Sequence, residues 1–398
     1  MFPINPLKLT LVLASGALLI AACGGSDNDN DDGTGTMRLA LTDAPACGYD
    51  HVWVTVEKVR VHRSSSADED DSDWSEVVLA TPQRIDLLEY TNGNILPLGE
   101  TELPSGTYSQ MRLVLSPNGN SAPFANAIQP SGGSETALDT PSGQQSGLKF
   151  NVNMTVPENQ VASFVLDFDA CRSFVRAGNS SKYLLKPVIN VIPVLSDAGQ
   201  RIVGYVDPSL ANGDTLVSVQ LDGNIVKSTP PEAGTGRFVL YPVPEGTYDL
   251  VITAPGRVNA VVTGVPVVLS GITTVGSETV VLTPPTSASS FAAKGTINVT
   301  PAPASIDAAI RALQAVAGGP TIQAAATVAD ATSGAYSMML PTAVPASVAY
   351  AASAVAFNFV DAASGAGEYT IEAKVGDATK TEAITLTGGD VTSDFAFP

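Results

Sequence analysis

Three cysteines, two histidines and a scatter of carboxylates are the residues of this chain whose types could do chemistry. Cys47 stands four positions before His51, and a thiol beside an imidazole is the start of a nucleophile–base pair. No third motif in the sequence orients that histidine, so the spacing argues poorly for thiol catalysis. Asp43 and Asp50 flank Cys47, and Asp167 and Asp169 precede Cys171. Oxygen donors of this kind suit Ca²⁺ if the two cysteine neighbourhoods meet in space. The competing reading has Asp43 capping the turn before Ala44-Pro45, with Asp50, Asp167 and Asp169 on exposed faces or paired with Arg172 and Lys186. His51 and His62 fall at opposite ends of one strand run and are not expected to share a metal. Spacings for a nucleophile elbow, a zinc protease, a P-loop, a C-x-x-C pair or a dinucleotide loop are absent. A paired-carboxylate glycan hydrolase remains as a minor alternative. Such clefts are usually lined by aromatic rings, and only 6% of this chain is aromatic, with two tryptophans.

The charge balance narrows the partners. With 39 acidic and 20 basic residues the formal charge is −19, which repels nucleic acid. Part of the acidity is concentrated in two places, the run GGSDNDNDDGTG over 24–35 and the loop Asp68-Glu-Asp-Asp71 with Asp73. The first has no apolar residue to bury and reads as a disordered tether. It lacks the glutamate and flanking helices of a calcium loop. The second reads as a solvated loop ahead of Trp74.

The N-terminus supplies an address. Lys8 precedes an apolar run from Leu9 to Ile20 that is too short to span a bilayer and reads as a signal peptide. Ala21-Ala22-Cys23 after Leu19-Ile20 resembles the bacterial lipoprotein box. The resemblance implies cleavage after residue 22 and acylation of Cys23, with palmitate among its chains. It implies a membrane partner through that lipid anchor, and Gly24 favours the outer membrane, facing the periplasm or the cell surface. Two acyl chains hold a protein stably, because each buried CH₂ contributes about 0.8 kcal/mol. With Cys23 lipidated and the chain exported to an oxidising compartment, Cys47 and Cys171 are expected to form a disulfide. It would close a loop of about 125 residues and contribute about 4–5 kcal/mol.

The elements that must position these residues are strands. Short alternating or apolar runs recur between Gly, Pro, Asn and Asp clusters, among them Met37–Leu41, Val52–Val61, Val77–Leu79, Gln110–Leu115, Phe150–Val156, Ala162–Phe168 and Leu184–Val194. Val52, Val54 and Val56 share one parity and form an apolar face, with Trp53, Thr55 and Glu57 on the other. A phrase recurs as Leu103-Pro-Ser-Gly-Thr-Tyr108, as Val243-Pro-Glu-Gly-Thr-Tyr248 and more weakly as Ser364-Gly-Ala-Gly-Glu-Tyr369. Each copy is a Pro/Gly turn feeding a strand that opens on a tyrosine, and three copies suggest three β-domains. The fold class expected is all-β, in tandem β-sandwich domains behind a signal peptide over 1–22 and a tether over 23–35. The domains fall at 36–195, 199–286 and 290–398, with Pro284-Pro285 and the residues to Ser290 as a linker.

Two further resemblances sit on that frame. Leu41-Thr-Asp-Ala-Pro45, VWVTVEKVRVH over 52–62, LPSGTYSQMRLVL and DFDACRSFV followed by KYLLKPVINV resemble the bacterial lipoprotein domain of unknown function 4382. This implies a lipoprotein-borne β-domain and brings no catalytic residue. In segment two, Gly204-Tyr-Val206, Val217–Gly223, Gly236-Arg-Phe-Val-Leu240 and VPEGTYDLVI resemble the carboxypeptidase regulatory-like, transthyretin-type sandwich, a module that serves as spacer or interaction surface. Ile306, Ile310 and Leu313 have helical spacing behind Ser305, whereas the resembling module has a strand there, and both remain open. The function expected is a non-enzymatic structural or interaction role in the envelope, with an envelope protein or glycan as partner and no cofactor. The alternative is a Ca²⁺-dependent adhesin or carbohydrate-binding surface protein.

Overall fold

The computed structural model describes residues 33–43, 48–140, 143, 146–178 and 182–398. Strand Tyr49–His62 shows how the alternating pattern is used. Val52, Val54 and Val56 are fully buried, a bulge between Val56 and Lys58 changes the parity, and Val59 and Val61 continue the inward face. Without the bulge one extra residue would send the second half of the strand to the wrong side.

The first core lies between two sheets. In one, Thr34–Asp43 runs between Leu96–Pro104, antiparallel, and Val161–Phe168, parallel, with Ile189–Val194 outermost. The other is built on Tyr49–His62, which pairs with Ser75–Asp86 along one edge and with Gly106–Leu115 and Ala127–Pro130 along the other. Met37, Leu39 and Leu41 face Val54, Val56, Met111 and Leu113 across the gap. Two expectations need correction here. The strand begins at Thr34, so the last two residues assigned to the tether are in a sheet. The run Leu184–Val194 is two strands, Tyr183–Leu185 and Ile189–Val194, interrupted at Pro187, which has no N–H for a ladder.

The second core packs Ile202, Phe238 and Leu240 against Val217, Val219, Leu250, Ile252 and Val262. Its larger sheet has six strands, and the outer two, Ala346–Ala349 and Val360–Asp361, come from far along the chain. Ala346–Ala349 runs parallel to Ala260–Val267, and Phe357 enters the second core behind it. The third core joins Ala293, Ile297, Ile310, Met338, Leu340, Ile371, Phe395 and Phe397. Residues 308–315 form a strand paired with Thr321–Val328 and Glu368–Val375, so the helical spacing of Ile306, Ile310 and Leu313 is not used. Two sheet partners outweigh a helix that Gly318-Gly319 would end after about three turns. The chain is all-β in these three cores, and the helices among the described residues are single short turns.

The cores are interlocked. Gln220 bonds the backbone of Gln323 in both directions, accepting from its N at 2.7 Å and donating to its O at 3.0 Å, and both residues are buried. Val251 and Val261 of the second core pack on Val316 and Ile322 of the third. Asn92 of the first core donates from its backbone N to Thr229 Oγ1 at 2.8 Å and accepts from Val239 N at 2.6 Å.

Candidate functional site

Parallel pairing of Thr34–Asp43 with Val161–Phe168 sets Thr42 opposite Asp167 and Asp43 opposite Phe168, bringing three of the sequence's candidate acids to one end of a sheet. Each has a partner there. Asp43 is fully buried, and its Oδ1 accepts from Ala170 N at 3.2 Å. Asp169 caps the single turn Ala170–Ser173, accepting from Arg172 N at 3.1 Å and from Arg172 Nε at 2.6 Å. Asp167 is neither exposed nor paired with Lys186. It is buried and ion-paired with Lys227, which is itself 2% exposed and belongs to the second core. Burial pushes the Asp167 carboxyl above the usual aspartate range, against the pull of the Lys227 ammonium.

Asp50 is elsewhere, exposed on the opposite sheet, where it accepts from Gly132 N at 3.0 Å. That backbone bond, and then the Ser131 hydroxyl, hold its carboxyl below the ordinary value. Among the described residues no three His, Cys, Asp or Glu side chains are grouped as a metal site. Cys171 lies on the 170–173 turn and is not a free thiol. Cys23 and Cys47 lie outside the described residues, as do the signal peptide and all but the end of the tether.

Around these acids the three cores converge. Lys186 of the first donates to Ile306 O at 3.1 Å and pairs with Asp307 at 3.4 Å. Gly178 N donates to Asp330 Oδ2 at 2.7 Å. From the third core, Arg311 reaches Gly223 O at 3.1 Å and Asn224 Oδ1 at 2.8 Å in the second, while its Nε pairs with Glu372 at 2.6 Å. The sequence gives no sign of Lys227 as a partner, because in Asn224–Thr229 a lysine between Val226 and Ser228 has the pattern of a solvent-facing position.

The histidines are far apart, eleven residues along one strand or about 36 Å. His51 Nδ1 is 2.5 Å from Asp86 Oδ2, and the same carboxylate accepts from Val52 N at 3.2 Å and Leu88 N at 3.3 Å. The imidazole stacks on Trp53 with centroids 4.8 Å apart, and Arg84, opposite Thr55, lies 4.2 Å from the same ring. At the other end, His62 accepts from Ser64 N at 2.9 Å and tilts against Trp74.

Trp74 has two guanidinium groups over its ring, Arg60 at 4.7 Å and Arg112 at 5.0 Å. The acidic loop beside it is fastened by its backbone. Trp74 Nε1 donates to Asp68 O at 2.8 Å, Arg60 to Glu69 O at 3.1 Å and Arg112 to Ala67 O at 2.9 Å, while the carboxylates stay in water. The loop therefore lays its negative charge along a cationic strip, a pairing the like-charge run alone does not reveal.

Residues 34–187 match the family model described as "Domain of unknown function (DUF4382)". The chain carries a DUF4382 domain. It covers the first core, including Asp43, Asp167, Asp169 and Cys171. No protein with a curated description matches the sequence. Among solved structures, the Bacillus anthracis TIE protein is 11% identical over 92% of this chain and 51% of its own, with a TM-score of 0.17, so the chain spans about half its length. A streptococcal ancillary pilin is 11% identical over 90% of this chain and 99% of its own, with a TM-score of 0.17. The Bacillus cereus major pilin subunit BcpA is 11% identical over 91% and 99%, with a TM-score of 0.16.

Proposed function

We propose that this chain is a lipid-anchored envelope protein with a non-enzymatic structural or interaction role. The observation that carries the reading is what its charged residues do. Asp167, Asp169, Lys186, Lys227, Arg311 and Asp330, spread over all three cores, are committed to capping turns or to binding one core to the next. Groups locked in this way position protein against protein and are not poised for turnover. In this reading Cys23 carries the acyl chains, palmitate among them, at the outer membrane, and the DUF4382 domain engages an envelope protein or a glycan. Residues 199–286 act as a carboxypeptidase regulatory-like spacer, supported by strands Leu216–Leu221, Arg237–Leu240 and Gly246–Thr253 in the order that module has.

Cys47 and Cys171 form a disulfide in the same reading, supported by the absence of a free thiol at Cys171. Among the described residues no helix is long and apolar enough to cross a membrane, and the anchor proposed here is the lipid on Cys23. Growth with an alkynyl palmitate, click labelling and fractionation test it. The wild type is expected to be labelled and to fractionate with the outer membrane, and Cys23→Ala to be unlabelled. Equal labelling of both sinks the anchor. Thiol alkylation of the denatured protein, with and without reductant, reads the bridge.

A further inference from the structure

We propose that the cleft where the three cores meet binds a compact tetrahedral oxyanion, of the phosphate or sulfate type. The cleft has a volume of about 230 Å³ and takes Arg172 from the first core, Asn224 from the second, and Arg311, Gln323, Glu372 and Lys374 from the third. Three cations and one carboxylate thus line a hollow in a chain whose formal charge is −19. Local positive charge against an acidic background needs a physical reason.

The donors are only partly used. Arg172 gives its Nε to Asp169, and neither of its terminal nitrogens bonds another described residue. Arg311 gives Nε to Glu372 and Nη1 to Gly223 and Asn224, which leaves Nη2 over. Lys374 has no ion-pair partner among the described residues. Gln323 is 6% exposed; its backbone N and O are both taken by Gln220, and its side-chain amide makes no hydrogen bond to the described residues while lining the cleft. Its amide is not among the buried atoms left without a partner, so solvent reaches it from the cleft, where a ligand oxygen could take the place of water.

Size and geometry choose the ligand. A water occupies about 30 Å³ of liquid, so the cleft admits a small anion with a few waters, and it is below the ~300 Å³ at which drug-sized ligands begin. Donors arriving from two cores suit an anion with oxygens in several directions better than a flat monocarboxylate. Glu372 and Asp169 are already held by the arginines, which keeps them from opposing the anion outright.

Isothermal titration of the full chain with sodium phosphate, against sodium chloride of matched ionic strength, tests this. Saturable one-site binding is expected, weakened roughly tenfold in Lys374→Ala, about the worth of one charge-assisted hydrogen bond. Lys149→Ala, a lysine outside the cleft, should bind as the wild type does. A parallel titration with glucose 1-phosphate separates a free anion from a substituted phosphate, and saturation by either supports the site. No saturable heat with either anion overturns the proposal, and so does an affinity in Lys374→Ala equal to that of the wild type.

Discussion

The Lys227 ammonium donates a hydrogen bond to the Asp167 carboxylate in the interior of the join between the first two cores, with both side chains nearly out of reach of water. Removing one partner strands the other's charge, and such losses cost about 3–5 kcal/mol. Lys227→Met and Asp167→Leu are each expected to lower the unfolding free energy by that amount, read as a fall in the urea midpoint. The double variant should recover most of the loss, because two apolar side chains fill the space without a desolvation penalty. Denaturant titration of the wild type, both singles and the double completes the cycle. A double variant as damaged as the sum of the singles would show that the pair contributes through shape alone.

The repeated turn-and-tyrosine phrase has one physical meaning in its two clear copies. Tyr108 Oη donates to Pro104 O at 2.8 Å and Tyr248 Oη to Pro244 O at 3.0 Å, so each ring folds back four residues and pins its own turn. Replacing either by phenylalanine should cost about 1 kcal/mol, the net worth of an ordinary hydrogen bond. Tyr369 departs from that pattern. Its hydroxyl donates to Pro341 O at 2.7 Å and lies 3.4 Å from Asn259 Nδ2 of the second core, and burial pushes its ionisation far above the ordinary phenol value. Tyr369→Phe leaves buried polar groups short of a partner and should cost about 1–3 kcal/mol. Equal losses at all three positions in thermal melts would contradict the distinction.

A calcium ion at Asp43, Asp167 and Asp169 would have to displace the Ala170 amide, the Lys227 ammonium and the Arg172 guanidinium. The expected result is a thermal midpoint that does not change between millimolar Ca²⁺ and excess chelator. A calcium-dependent rise that disappears in Asp169→Asn would restore these acids as a site.

Much of the architecture was legible, for reasons particular residues show. Val52, Val54 and Val56 announce an inward face by parity, and the Pro-Gly turns announce where strands begin. Two things were not legible. The four residues Ala346–Ala349 pair with Ala260–Val267 across a gap of some eighty positions, and so short a run carries no local mark of which sheet edge it will meet. A Cys47–Cys171 bridge was expected to gather Asp43, Asp50, Asp167 and Asp169; Asp50 lies on the opposite sheet, and the chemistry of the other three was not legible. What decides it is Lys227, sixty residues on in another core. Side chains that join cores answer to tertiary packing, which a one-dimensional pattern does not encode.

Acid should loosen the contact between the first and third cores through Asp330. Its Oδ1 accepts from Ser333 N at 2.7 Å, Ser333 Oγ at 2.8 Å and Thr332 N at 3.0 Å, and its Oδ2 from Gly178 N at 2.7 Å across the join. Burial alone would raise this carboxyl, but the bonds from Ser333, Thr332 and Gly178 outweigh it and hold the carboxyl below its ordinary 3.8. A folded value below the unfolded one means the unfolded chain binds the proton first as pH falls. The stabilisation is therefore complete above the ordinary value and is lost as pH drops through the lowered one. Asp330→Ala is expected to cost about 0.5–1.5 kcal/mol at neutral pH, because the released Thr332 and Ser333 donors are exposed and bond to water, and the Gly178 contact across the join is the main loss. Its deficit relative to the wild type should shrink in melts taken below pH 3.8. A deficit constant from neutral pH into that range would mean that the Asp330 charge contributes nothing, and that the contact with Gly178 is held by the backbone between Arg176 and Ala331, whose N donates to Arg176 O at 3.0 Å.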